Sequence, residues 1–250
     1  MTNENARNQL QQINHFDFSL QLFDANYKEL MGVLSFAKNE QAGLQLMNVV
    51  NEWKLQDHLK IVGFKLHNYV CASLSLLDHA RVLYMRLYER NNIDFHNYSE
   101  EIKRRFEKND LIAFVKFLRT YCQHERLPDI SLSMAYDSMS DDEFIFKINL
   151  NCDALLKSSS IKYLPKKYIE ESGGNIDLTK LIEEYHRQIT DFYSWVRSRQ
   201  LEIHALDINI INDEFVKEIE RAVHRFVVSF DLIDSRASVK EYFYSLISSD

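Results

Sequence analysis

Apolar residues recur three and four positions apart along most of the chain, the spacing that lines one face of a helix. Over 17–39 the set is Leu20, Phe23, Tyr27, Leu30, Val33, Leu34 and Ala37. Over 41–90 the pattern predicts one long helix, or two segments meeting near Gly63. Its core positions are Leu66, Tyr69, Val70, Ser73, Leu74, Leu77, Ala80 and Tyr84. Small residues at Ala72, Ser73 and Ser75 let a neighbouring helix approach closely, and Asn91 and Asn92 end the segment because Asn tolerates a left-handed turn. Ser99 followed by two glutamates reads as a helix start. Asn109 or Asp110 opens another helix, with Leu111, Phe114, Val115 and Leu118 inward, and Pro128 closes it.

The period then changes from that of a helix to that of a strand. Ile130, Leu132, Met134 and Tyr136 alternate with polar residues, as do Phe144, Phe146, Ile148 and Leu150 after an acidic turn at 138–142. This predicts a β-hairpin whose apolar face rests on the helices. Helical spacing returns afterwards. Ser158, Ser159 and Ser160 read as a loop, Pro165 opens a short helix, and Gly173-Gly174 is the clearest break. Asp177 caps a long helix through about residue 204, with Leu181, Ile182, Tyr185, Ile189, Phe192, Trp195 and Val196 on one face. Asp213 starts a last helix carrying Phe215, Ile219, Val223, Phe226, Val227 and Phe230, with a helix-like tail to Ile247.

The fold class expected is therefore mostly α: an antiparallel helical bundle with a small β-hairpin insertion. Its divisions are a flexible N-terminus at 1–16, a helical core at 17–128, the hairpin at 129–150, and C-terminal helices at 151–250 packing on that core. Composition agrees. The 250 residues contain only 5 Gly and 2 Pro, too few for a sandwich or barrel of many short strands. Apolar residues make up 46% and charged ones 27%, which favours a buried core over disorder. A net charge of −7 argues against a broad basic surface for duplex DNA, though not against a local basic site. Cys71, Cys122 and Cys152 are odd in number and form no CxxC pair, so a reducing compartment fits best. With a polar N-terminus and no apolar run near membrane-spanning length, a cytoplasmic protein without membrane association is expected.

Chemistry concentrates in 114–128, where Arg119 and His124 share the C-terminal half of an amphipathic segment. An arginine followed by four to six residues and a histidine occurs four times here: Arg90/His96, Arg119/His124, Arg197/His204 and Arg199/His204. The bare spacing is thus weak, and context separates the four. Arg90/His96 straddles an Asn-rich loop, and the two pairs ending at His204 sit late on a core-directed helix. Only Arg119/His124 ends a short helix stopped by a proline.

The segment from Phe117 through Arg119, Thr120 and His124 to Pro128 resembles the signature helix of HEPN-domain proteins, whose motif is Arg, four to six residues, then His. Residues 66–81 resemble the preceding long helix of such proteins, and 182–186 and 192–195 add a weaker likeness. The resemblance is best over about 60–130. One departure is Thr120, where family ribonucleases often carry Asn, Asp or His after the arginine. The resemblance implies antiparallel helices, dimerisation that brings two motif helices together, and metal-independent RNA cleavage in active members. It further implies toxin or antiphage-defence biology, with a neutralising or defence-system protein as partner.

The residue types suit that reaction. A histidine titrating near neutrality takes the proton of an RNA 2′-OH, and an arginine holds the attacked phosphate by parallel hydrogen bonds. No cofactor or metal is then expected. Asn68, Asp78 and Thr120 are candidate supporting residues, and Lys103, Arg104, Arg105 and Lys116 candidate RNA-binding cations. Bland roles stand beside these: Arg119 as an ion-pair partner of Asp78 or Asp110, His124 as a helix-end dipole partner, Asp78 in an ordinary salt bridge, Asn68 as a local cap. Positions five apart differ by about 140° on a helix. Arg119 and His124 therefore converge only if the last turn distorts or a second subunit completes the groove. Glu183-x-x-His186 resembles half of a di-iron motif, but the second half and two further carboxylates are missing. A catalytically silent module that binds a partner protein is the alternative function.

Overall fold

Helix dominates the computed structural model, which describes residues 3–136 and 144–230. Nine α-helices lie among the described residues: α1 (Asn3–Lys38), α2 (Glu40–Met47), α3 (Glu52–Tyr84), α4 (Tyr98–Ile102), α5 (Asp110–His124), α6 (Asp153–Leu156), α7 (Tyr163–Glu171), α8 (Leu178–Ile203) and α9 (Ala205–Phe230). Three strands, β1 (Asp129–Tyr136), β2 (Phe144–Asn151) and β3 (Asn175–Asp177), form one antiparallel sheet in that order. The chain divides into two compact units, residues 12–200 and residues 1–11 with 201–250. The expected mostly α fold with a small β insertion is what the structure has.

Within 12–200, α1 and α3 run antiparallel. Ser19 meets His79, Phe23 stacks on Tyr69, and Glu29 pairs with Lys65. On α1 the predicted positions Phe23, Leu30, Leu34 and Ala37 are buried in one helical stripe, while Leu20, Tyr27 and Val33 of the same set are half-buried. Helix α8 joins them through Phe16–Tyr193, Asp17–Arg197 and a 2.5 Å hydrogen bond between Ser73 Oγ and Tyr185 OH. That bond spans two wholly buried side chains, and removing one partner would leave a hydroxyl unsatisfied at about 1–3 kcal/mol. Ser73, small enough for α8 to approach, also supplies its polar anchor. Helix α5 packs on α3 and α7, with Phe114 stacked on Tyr168 at 5.0 Å.

The β1–β2 register pairs Tyr136 with Phe144 and Asp129 with Asn151. The turn expected at 138–142 lies outside the described residues. Phe146, Ile148 and Leu150 are buried, and the Phe146 ring lies against the backbone of α2 at Gly43.

Several boundaries differ from expectation for local reasons. Helix α1 runs back to Asn3 through the segment read as a flexible N-terminus, and Ile13 and Phe16 within it are buried. The break in 41–90 falls at Asn48, whose side chain accepts from Val50 N, and Gly63 lies inside α3. Leu76 is buried, whereas Leu74, Leu77 and Tyr84 are half-buried. Asn92 is left-handed, as expected. Helix α4 starts at Tyr98 after a left-handed Asn97, not at Ser99, and Tyr98 stacks on Tyr84.

Strand β3 was not expected. It is only three residues long and follows Gly173 and Gly174, both at positive φ. Asp177 does cap α8, accepting from Thr179 N and Lys180 N. Helix α9 begins at Ala205, earlier than Asp213, beside a buried His204–Asp207 contact of 3.1 Å. Its Phe215 and Ile219 are exposed, contrary to the core role expected for them. The side chains of Val223, Phe226, Val227 and Phe230, and the tail to Ile247, lie outside the described residues.

Candidate functional site

Helix α5 carries the Arg–His pair and is fixed at both ends. Asn109 Oδ1 accepts from Ile112 N at 3.1 Å, and Asp110 pairs with Lys167 at 2.5 Å. An acid in the first turn also suits the positive end of the helix dipole. Leu111, Phe114, Val115, Leu118 and Tyr121 are buried, so the apolar face is the one the spacing predicts. At the other end Arg126 Nε donates to Tyr121 OH at 2.9 Å, and Ser158 and Ser160 donate to Glu125 Oε1. Helix α5 stops at His124, and Pro128 is buried just beyond.

Arg119 is half-buried. Its Nε is sealed from solvent without a hydrogen bond, and its guanidinium makes no ion pair among the described residues. Neither ion-pair partner considered for it is used: Asp110 holds Lys167, and Asp78 faces Arg81 at 3.7 Å. His124 is exposed and is the last residue of α5.

The helix stays α-helical throughout, so its last turn does not swing the two side chains together, and the offset of about 140° stands. At about 100° per residue, Gln123, Lys116 and Thr120 fall between Arg119 and His124 around the helix. The pair thus marks the two edges of the outward stripe of α5. A surface laid across that stripe would meet both.

The supporting candidates are placed as follows. Thr120 Oγ1 donates to Lys116 O at 3.1 Å, so its hydroxyl turns to the helix backbone. Asn68 is exposed on α3, its amide oxygen 3.5 Å from His67 Nδ1. Asp78 is exposed and reaches neither Arg119 nor His124. Lys103, Arg104 and Arg105 belong to the π-helical turn Lys103–Glu107 that precedes α5. This places them near the α5 N-terminus, about 14 Å along the axis from the level of Arg119. Arg104 and Arg105 both clamp Glu101, whose carboxyl is lowered to about 2 chiefly by those hydrogen bonds. The Arg105 guanidinium also lies 5.8 Å from the Phe192 ring. Lys103 and Lys116 make no ion pair among the described residues.

The seam between α3 and α5 was not legible from spacing. Gln123 Nε2 donates to Cys71 Sγ at 3.5 Å, and Cys71 lies 3.8 Å from His67 Nε2 one turn earlier. Burial pushes the Cys122 thiol up to about 12, with Cys71 a further contributor. These residues meet only because α3 and α5 pack together; nothing in their sequence spacing predicts it.

The remaining motifs are absorbed by packing. His186 stacks on Tyr27 at 3.7 Å between ring centres and lies 3.6 Å from Asp24. Arg197 pairs with Asp17. Among the described residues no group of three His, Cys, Asp or Glu is placed to hold a metal ion, and no helix is long and apolar enough to cross a membrane. Compared with known proteins, the chain matches no protein family, no curated protein and no solved structure.

Proposed function

We propose that this chain is a HEPN-like, metal-independent endoribonuclease that acts as a homodimer, in the manner of a toxin or antiphage-defence effector. The observation that carries the reading is Arg119: a cation with no carboxylate partner among the described residues, half-sunk at the edge of a helix face that ends in an exposed histidine. Leaving a guanidinium unpaired beside a buried face is costly, whereas a phosphate would satisfy it by two parallel hydrogen bonds. His124 accepts the 2′-OH proton, the alkoxide attacks the adjacent phosphorus, and Arg119 favours the charge gathering on the phosphoryl oxygens. The 5′-oxygen leaves with a proton from water, giving a cyclic phosphate and a free hydroxyl. Lys116 on the same stripe draws in the RNA backbone.

The test compares the wild type with Arg119→Ala and His124→Ala on single-stranded RNA without divalent metal. The wild type should cut, and each variant should lose about a hundredfold or more. Intact RNA with the wild type, or wild-type rates in both variants, rejects the reading. A second reading is a catalytically inactive HEPN-like module that binds a partner protein as a regulatory subunit. Exposed Phe215, Val216 and Ile219 on α9 favour it, and it requires that none of the three proteins cut RNA.

A further inference from the structure

A groove of about 470 Å³ runs between α1 and α3, lined by Gln12, Phe16, Ser19, His79, Val82, Leu83 and Arg86. Its size falls within the usual range of small-molecule sites. Phe16 and Leu83 are buried and form an apolar floor, while the polar groups stand on the rim. At one end Ser19 Oγ and His79 Nδ1 share a 2.7 Å hydrogen bond. At the other stands Arg86, seven residues after His79 on the helical turn that continues α3, about 10 Å along the axis.

The backbone that carries the exposed Arg86 is a built feature. It lies in the π-helical turn Met85–Glu89, a form of helix frequent at functional sites. Asn91 Nδ2 donates to Arg86 O at 2.9 Å and to Leu87 O at 3.0 Å, which locks that turn. The Arg86 guanidinium has no ion pair among the described residues. Asp17 is engaged with Arg197 and Asp78 with Arg81, while Glu89, in the same turn as Arg86, makes no ion pair with it. In a chain of net charge −7, an exposed guanidinium with no ion pair among the described residues, lining a groove with an apolar floor, is suited to hold an anion.

From this geometry we infer that the α1–α3 groove binds a small amphipathic carboxylate, its head on Arg86, its apolar body over Phe16 and Leu83, and its far end at Ser19 and His79. One fixed positive charge suits a monoanion better than a phosphate dianion, which would call for further cations. The Ser19–His79 pair does not make the groove an esterase. Ser19 lies inside α1, where backbone N–H groups are committed to the helix and none is left to stabilise an oxyanion. The site is independent of Arg119 and His124.

Isothermal titration of the full chain with decanoate, decanol and decyl phosphate tests this. Decanoate should bind, with decanol and Arg86→Met each weakening binding by about tenfold or more. His79→Ala should weaken it less, and His124→Ala not at all. The inference is overturned if decanoate does not bind, if decanol binds equally well, if decyl phosphate binds more tightly, or if a folded Arg86→Met keeps wild-type affinity. Equal binding of the alcohol would identify mere apolar contact.

Discussion

Histidine environments set a pH dependence that belongs to single residues. Burial lowers the pKa of both His58 and His186, with Asp24 opposing at His186 and a backbone contact at Val33 opposing at His58. The folded state therefore holds these rings neutral, while the unfolded chain takes up protons near pH 6.5. Stability from this source is complete above about pH 6.5 and falls as pH drops through that value towards the lower folded pKa. Urea midpoints should decrease between about pH 7 and 5, and His186→Phe, which keeps the stack on Tyr27, should flatten the slope. An unchanged slope in that variant would remove His186 from the account. As the last residue of α5, His124 is placed to interact with the helix-end dipole.

Elements meet through contacts whose tolerance can be tested singly. Helix α2 lies so close to β2 that a Cβ at Gly43 would stand 2.5 Å from the Phe146 ring. Gly43→Ala should thus destabilise by about 1–3 kcal/mol, in spite of alanine's higher helix propensity. Gly32→Ala on α1, where the added methyl meets nothing within 4 Å, is the control and should be neutral or stabilising. Equal denaturation midpoints for the two variants would contradict the close approach. At this scale the pattern was largely readable. The apolar stripes of α1, α3, α5 and α8 and the alternation of β1 and β2 named the elements, because burial on one face imposes the period. Ends were less readable. Asn48, Asn97 and His204 decide boundaries by side-chain bonds or left-handed turns that several neighbouring residues could equally have supplied.

On the whole-molecule scale, the offset between Arg119 and His124 leaves room for the proposed homodimer to complete each site with residues of two copies. If each site draws its arginine from one chain and its histidine from the other, inactive Arg119→Ala and inactive His124→Ala should complement on mixing. Random pairing makes half the dimers mixed, each with one intact site, so about a quarter of wild-type cleavage should return. A mixture that stays silent while the wild type cuts would place the whole site in one chain.

The sequence by itself determined the helical class, the hairpin, the inward faces of α5 and α8 and the location of the Arg–His pair, since these follow from periodicity and local chain chemistry, but not the exposure of Phe215 and Ile219 on α9. Only the tertiary structure decided that Arg197 finds Asp17 while Arg86 and Arg119 find no carboxylate among the described residues. Arg104, Arg105 and Arg197 look like Arg86 and Arg119 in one dimension, yet the first three meet Glu101 or Asp17 and the other two meet no carboxylate among the described residues. Pairing of charges is a matter of distance between side chains: Arg104 and Arg105 find Glu101 three and four residues away on their own stretch of helix, whereas Arg197 finds Asp17 only because α1 and α8 pack together.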